Sequence, residues 1–413
     1  QLDISSITNE YGGRGSKAYD PAMMTALLFY GYATGVFSSR KIERSTYDSV
    51  AFRYIAGNTH PDHDTIATFR RRFLPHLKGI FVQILQIAHE MNILRLGAVS
   101  LDGTKLKANA SKHKALSYGH ASKLEKQLEQ EINDLLQKAE QTDSVDLPDG
   151  MSIPEEISRR ENRLEAIRKA KAEIESRAAE RNVEENKAYK EKMAKREAKE
   201  KKTGKKTPGK PPQPPTAGPA SKDQVNLTDD ESRIMPVSGG GFDQCYNAQA
   251  GVDTASQLVV CSYVSQKPND KKEVQPAIKE LQNLNPELGE VSALLADNGY
   301  FSCDNCAIIE HAGITPYVAV GREKHNTRLE DRFSDPPSLP EGADYKSTMQ
   351  HRLKTKVGKA LYAARKSTVE PVFGIIKHVL GFRQFSLRGL EGVQGEWDLV
   401  SIAWNLKRMH VLA

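Results

Sequence analysis

Ser292-Ala293-Leu294-Leu295-Ala296-Asp297-Asn298-Gly299-Tyr300 is a short apolar run stopped by an acid and two turn formers. Five residues are too few for a core helix, and turn chemistry bounds the run, so it reads as a buried strand. Upstream, strand patterns at Tyr246 to Val252 and Leu258 to Val264 flank a turn-like Asp253-Thr254-Ala255-Ser256. A helical pattern follows from Lys271 to Leu284, and Ile314 to Val320 gives a further strand. Two close strands, a helix, and more strands separated by helical pattern specify an α/β fold with a sheet of mixed direction. Asp297 then lies just past the carboxyl end of a central strand, where open α/β sheets carry their chemistry. The same residue could equally be there to open a turn.

A second acid sits inside a strand. From Gly97 to Ala108 the pattern alternates, with Val99 and Leu101 against Ser100, Asp102 and Thr104. Asp is depleted in strand interiors, so Asp102 needs a partner or a purpose. The third acid stands out by its surroundings: Glu370 is the only acidic residue between His351 and Arg388, among nine Lys and Arg. A surface built to hold phosphates would exclude a carboxylate unless negative charge had a job beside the polyanion. Pro371 next to it argues for a helix that begins or kinks there.

If Asp102, Asp297 and Glu370 converge, their mutual repulsion is large. Two like charges about 4 Å apart cost about 4 kcal/mol at an effective dielectric of about 20. Such a group takes up a proton or a cation, and hard oxygen ligands with open positions select Mg2+ or Mn2+. Two such ions can activate a water or a 3′-hydroxyl on one side of a phosphorus and stabilise the leaving oxygen on the other.

The N-terminal part reads as all-helical from Asp20 to Phe81, with apolar residues at Met23, Leu27, Tyr30, Ile42, Ile66, Phe69 and Phe73. Ser38, Ser39 and Asp64 are the candidate N-caps. One helix carries Arg70, Arg71 and Arg72, either a solvated face or a nucleic-acid contact. Between the two halves of the α/β pattern lies a charged stretch. Leu124, Leu128, Ile132, Leu135 and Leu136 mark one amphipathic helix, and Ile157, Leu164, Ile167 and Ile174 a longer one. Past Ala178 the apolar residues thin out into a Lys-rich segment, followed by six prolines between Thr207 and Pro219. This is the pattern of a helical insertion ending in an extended or disordered linker. Its basic end is a solvated arm or an electrostatic contact with nucleic acid.

Composition bounds the rest. The 413 residues, 38% of them hydrophobic, suffice for two or three domains, and the net charge of +6 says less than its clustering. The longest apolar run, about 12 residues from Ala22, is far short of a membrane span. The first residues lack a secretory leader's basic and apolar regions, so a cytoplasmic protein is expected. The chain starts at Gln1 without Met, which leaves its completeness at that end open. Cys303 and Cys306 form a lone C-x-x-C without a second closely spaced pair, so ordinary reduced thiols are expected rather than a zinc site.

Three blocks together resemble a known family. Ser100-Leu101-Asp102-Gly103-Thr104, Ala296-Asp297-Asn298-Gly299-Tyr300, and Tyr362, Arg365, Glu370 and Lys377 look like the active-site blocks of Asp-Asp-Glu (DDE) transposases of bacterial insertion sequences, with a Tyr-Arg-Glu-Lys signature. The likeness extends to Ala18-Tyr19-Asp20-Pro21, to Ser38 through Glu43, to Pro61-Asp62-His63, and to Gly381-Phe382-Arg383 and Gly395-Glu396-Trp397. The resemblance implies a ribonuclease H-like mixed-sheet core with Asp102 on its first strand, Asp297 after the fourth and Glu370 on a later helix. Those three acids would then be catalytic and metal-binding, with Tyr362, Arg365 or Lys366, and Lys377 on DNA. The departure is that four residues separate Arg365 from Glu370 where the family has three, which opens the choice between Arg365 and Lys366. The implied organisation is an N-terminal helical DNA-binding domain at 1–95, a catalytic domain from 96–111 and 236–413, and a charged helical insertion at 112–235. The implied activity is cleavage at transposon ends and strand transfer into double-stranded target DNA by a homodimer, with no membrane partner. A structure-selective nuclease on the same core, or an end-binding derivative without turnover, are the alternatives.

Overall fold

The computed structural model describes residues 2–11, 18–141, 152–237, 239–321, 334–339 and 342–413. The first residue and the part of the charged insertion at 142–151 lie outside the described residues. The chain divides into two compact units, residues 1–109 with 232–413, and residues 110–231.

The first unit opens with helices α1 (Ser5–Thr8), α2 (Pro21–Ala33), α3 (Ser39–Asp48), α4 (Val50–Ile55), α5 (His63–Phe73) and α6 (Leu77–Glu90). Asp20 caps α2 by accepting from the Ala22 N–H at 2.7 Å, with Pro21 at the first helical position. Asp62, not Asp64, caps α5, accepting from the Thr65 N–H at 2.8 Å. Ser38 precedes α3 but makes no side-chain cap bond.

Strand β1 (Ala98–Lys107) follows, and across the second unit the chain returns as β4 (Arg233–Pro236), β5 (Phe242–Asp253) and β6 (Val259–Ser265). Then come β7 (Ala293–Ala296) and β8 (Thr315–Val318). The sheet runs β4-β5-β1-β7-β8, with β6 also pairing β5. β1 is antiparallel to β5 and parallel to β7, and β7 is parallel to β8, so the sheet is mixed as the pattern of elements specifies. All four residues of β7 are buried, which is why it reads as an unbroken apolar run.

Helices α9 (Val274–Gln282), α10 (Cys303–His311), α11 (Tyr345–Lys354), α12 (Lys356–Gly374) and α13 (Leu390–Leu412) complete this unit. α13 packs on β6, α2 and α6 and buries Trp397 and Trp404, whose indole N–H groups donate to Gln249 O and Gln257 O. The four cysteines are free thiols.

The second unit is a pair of helices, α7 (Tyr118–Gln141) and α8 (Ile153–Thr203), beside a two-stranded ribbon of β2 (Ala115–Ser117) and β3 (Gln224–Asn226). Leu128 and Ile132 meet Leu164, Ile167, Ala170 and Ile174, with Leu116 and Val225 of the ribbon in the same core. No described helix is long and apolar enough to cross a membrane.

Candidate active site

Side chains alternate across a strand, so on β1 Asp102 and Thr104 share one face and Gly103 and Lys105 the other. β7 pairs with β1 so that Leu101 lies opposite Ala296. Asp102 and Asp297 are therefore next in line on neighbouring strands. Asp297 Oδ1 accepts from the Gly299 N–H at 2.8 Å and opens the short 3₁₀ turn Asn298–Tyr300. It is both a turn initiator and a neighbour of Asp102.

α12 brings up the third acid. Arg365 donates from Nη1 to Asp102 Oδ2 at 3.3 Å and from Nη2 to Glu370 Oε1 at 3.0 Å. One guanidinium thus joins a strand carboxylate that is 22% exposed to a helix carboxylate that is 48% exposed. Burial drives the Asp102 carboxyl up to about 6. The Gly103 N–H and Arg365 pull it down, and the like charges of Asp297 and Asp270 push it further up.

The expectation that a helix starts near Glu370 is corrected, because the helical assignment of α12 begins at Lys356 and continues past Pro371 to Gly374. Proline has no N–H to give the carbonyl four residues back, that of Ser367. Gln257 Nε2 donates to that carbonyl instead, at 3.0 Å, so the acceptor is not left bare. A π-helical turn, Ile375–Val379, follows and carries Lys377 to β1, where Nζ donates to Thr104 Oγ1 at 3.0 Å. Lys377 is on Asp102's face of the sheet and half-buried, and burial, then Arg383, lowers its pKa. The Tyr362 ring centre lies 6.0 Å from the Arg365 guanidinium carbon. Lys366 is exposed. Of the two basic residues left open by the spacing, Arg365 is the one that meets the acids.

The opposite face of β1 holds a polar network that the sequence reading missed. Gly103 pairs with Gln249 and Lys105 with Asn247. Asp270 Oδ1 accepts from Asn247 Nδ2 at 2.7 Å, Gln249 Nε2 at 2.9 Å and Lys105 Nζ at 3.1 Å. Tyr300, at the end of the Asp297 turn, donates from its hydroxyl to Gln249 Oε1 at 2.5 Å. The turn bearing Asp297 is in this way tied to the strand beside Asp102. Gly103 makes the packing possible: a Cβ there would stand 2.1 Å from Gln249 Nε2 and 2.9 Å from both Asn247 Oδ1 and Asp270 Oδ1. The available signal was Asn247 and Gln249 at a period of two inside a strand, where Asn is depleted.

Among the described residues, no group of three or more His, Cys, Asp or Glu side chains is drawn together tightly enough to hold a metal ion. Arg365 stands between two of the acids instead. The donor set nonetheless fits a hard divalent cation, since it offers carboxylate oxygens and already holds a positive charge between them.

The arginine triplet of α5 divides. Arg70 is 7% exposed, and its Nη1 donates to Tyr32 Oη and to Phe37 O, both at 3.0 Å. Tyr32 donates in turn to Glu396 Oε1 at 3.0 Å. This overturns the reading of Arg70 as a DNA contact, because a guanidinium enclosed by protein cannot reach a phosphate. Arg71 is exposed, and Arg72 is exposed with Glu10 at 2.9 Å.

Residues 2–72 match a family model described as a transposase domain (DUF772), and residues 338–410 match one described as a transposase DDE domain. The two matches support a DDE transposase. No curated protein and no solved structure matches the chain. The DDE-domain match covers Tyr362, Arg365, Lys366, Glu370 and Lys377, and the N-terminal transposase-domain match covers Arg70 to Arg72. Asp102 and Asp297 lie outside both matched segments, and it is the sheet that sets them beside a residue inside one.

Proposed function

We propose that this chain is a DNA transposase that cuts phosphodiester bonds at insertion-sequence ends and transfers the freed 3′-hydroxyl strand to target DNA. Asp102, Asp297 and Glu370 are its catalytic acids. The observation that carries this reading is Arg365 bridging Asp102 and Glu370 while Asp297 lies next in line on the adjacent strand. A ribonuclease H-like core is supported by the order β6-β5-β1-β7-β8, with one acid on the first of these strands in the chain and another after the fourth.

The three acids would hold Mg2+ or Mn2+, which when bound offsets charge on the phosphate and assists the attacking hydroxyl. The chain's own residues prepare that step. Gly103 and the Gln249–Tyr300 bond fix the Asp297 turn against β1, and Arg365 keeps the acids together before substrate arrives. Tyr362, Lys366, Lys377, Arg71 and Arg72 are the DNA contacts of this reading, and pairing of two ends calls for a homodimer on double-stranded DNA. The domain division of the reading is a helical DNA-binding part at 1–95, a catalytic part at 96–111 and 236–413, and the insertion at 112–235.

The test is cleavage and joining of end-containing DNA with Asp102→Ala, Asp297→Ala and Glu370→Ala. Each variant is expected to lose more than about a hundredfold in rate, as loss of groups that act as a unit does. Retained activity in all three ends the proposal. Nicking without any joined product points to a nuclease on the same core.

A further inference from the structure

The two halves of α8 treat their charges differently. In the packed half, Arg160, Arg168, Lys171, Arg177 and Arg181 each form an ion pair with a Glu or Asp of the same unit. Past Arg181, one turn beyond the last buried residue of the helix, Ala178, the pattern changes. Residues 187–210 hold eleven Lys and Arg against three Glu, a net +8 in a chain whose total is +6. The rest of the chain therefore sums to −2. Among the described residues, the only ion pair within this segment is Arg196 with Glu200. All ten lysines are exposed, and none of their ammonium groups has a partner among the described residues.

The charges are also ordered. Lys192, Lys195, Lys199 and Lys202 are spaced by three, four and three residues, which places them along one face of the helix. They span about 15 Å at about 1.5 Å per residue. Arg196 anchors the returning chain by donating to the carbonyls of Thr207, Gly209 and Lys210, so Lys205, Lys206 and Lys210 are kept near the helix tip. Like charges at these spacings destabilise an isolated helix, so a fold that concentrates them gains only when a polyanion neutralises them. A lipid surface is the less suitable polyanion. From Ala179 to Thr203 the only large apolar residues are Val183, Tyr189 and Met193, and an interfacial helix needs a broad apolar face.

We infer that the end of α8, with Lys192, Lys195, Lys199 and Lys202 as its contact stripe, is a sequence-independent binding arm for the phosphate backbone of double-stranded DNA. The inference rests on the DNA partner of the proposed function but not on its chemistry. The four lysines grip successive phosphates as point charges and read no bases.

The experiment measures binding of the full chain to double-stranded DNA of arbitrary sequence in EDTA, across a range of salt concentrations. Lys192, Lys195, Lys199 and Lys202 are replaced together by Gln, which keeps helix propensity, or together by Arg, which keeps charge. The Gln variant is expected to flatten the slope of log K against log salt by about 2 to 4, at about 0.9 for each phosphate no longer neutralised, and the Arg variant to retain it. Circular dichroism checks that both keep the wild-type helix content. Equal slopes for wild type and the Gln variant overturn the inference while leaving the transposase reading intact. Absence of DNA binding by the wild type removes both. Loss of binding to vesicles of anionic lipid in the Gln variant, with DNA slopes unchanged, also overturns it in favour of a membrane surface.

Discussion

Arg365 Nη1 lies 3.3 Å from Asp102 Oδ2, joining residues 263 positions apart in the chain. The same guanidinium gives its second nitrogen to Glu370, and its Nε is buried with no acceptor among the described residues. An unmet buried donor costs about 1–3 kcal/mol, so the contact neutralises the acids without being the best that Arg365 could make. It is a positive charge that a better-bonded cation can displace. Arg365→Gln is therefore expected to raise the Mn2+ affinity of the DNA-free protein about tenfold or more, because competing charges a few ångströms apart are worth kilocalories. The variant without metal should melt below wild type and recover when Mn2+ is added. Unchanged Mn2+ affinity in a titration would refute the displacement.

Gly103 tests the support on the other face of β1. Gly103→Ala places a methyl group 2.1 Å from Gln249 Nε2, with Asn247 and Asp270 close behind, and none of these can retreat without breaking a hydrogen bond. Overpacking of this kind costs about 1–3 kcal/mol. The variant should lose that much in denaturant unfolding and most of its cleavage rate, since the Asp297 turn is held through Gln249. Full activity in a destabilised variant would show that the network serves stability alone.

Arg70 and Arg71 are adjacent in sequence and opposite in role. Removing the guanidinium leaves the Tyr32 hydroxyl and the Phe37 carbonyl without their buried donor, so Arg70→Met should cost about 1–3 kcal/mol of stability. Arg71→Gln changes an exposed side chain and should stay within about 0.5 kcal/mol. If Arg71 meets a phosphate, the Gln variant also lowers the salt slope of DNA binding by about 1. The reverse ordering in stability would contradict the burial of Arg70.

The sheet and its acids were readable because the signals are local. β7 is a bare apolar run, β1 alternates around a misplaced Asp, and Glu370 stands alone among cations. Arg70 carries a local signal too: Ile66, Phe69, Arg70 and Phe73 occupy the i, i+3, i+4 and i+7 slots of a buried helix face. Arg71 and Arg72 beside it mask that signal, because the triplet reads as one basic run. Other features had no local signal. The carbonyl that Pro371 leaves bare is met by Gln257, 110 residues away in a turn between two strands. Asp270 looks in sequence like any loop acid, and only the register of β1 against β5 gives it three donors.

Asp398 of α13 gives the fold a pH dependence with a definite sign. Its carboxyl is buried and accepts from Gln394 Nε2 at 3.0 Å, but the cation that acts on it, Lys78 of α6, gives its bonds to Glu280 of α9 and Ser262 O of β6. Burial drives Asp398 up to about 6, with Lys78 and hydrogen bonds from Gln394 and Ser262 opposing and Glu280 adding to the rise. Between the unfolded value of about 3.9 and about 6, the folded state holds a proton that the unfolded chain has released. Stability from this group is therefore present in full below that window and falls as pH rises through it, by on the order of 3 kcal/mol. Asp102, also raised, acts in the same direction, so the wild type alone cannot isolate the effect. Asp398→Asn keeps the shape and removes the titration. The stability of wild type minus that of the Asn variant, from denaturant unfolding, should drop by about that amount between pH 4 and pH 7. A difference that stays flat or rises over this range would mean that Asp398 is ionised in the folded protein throughout.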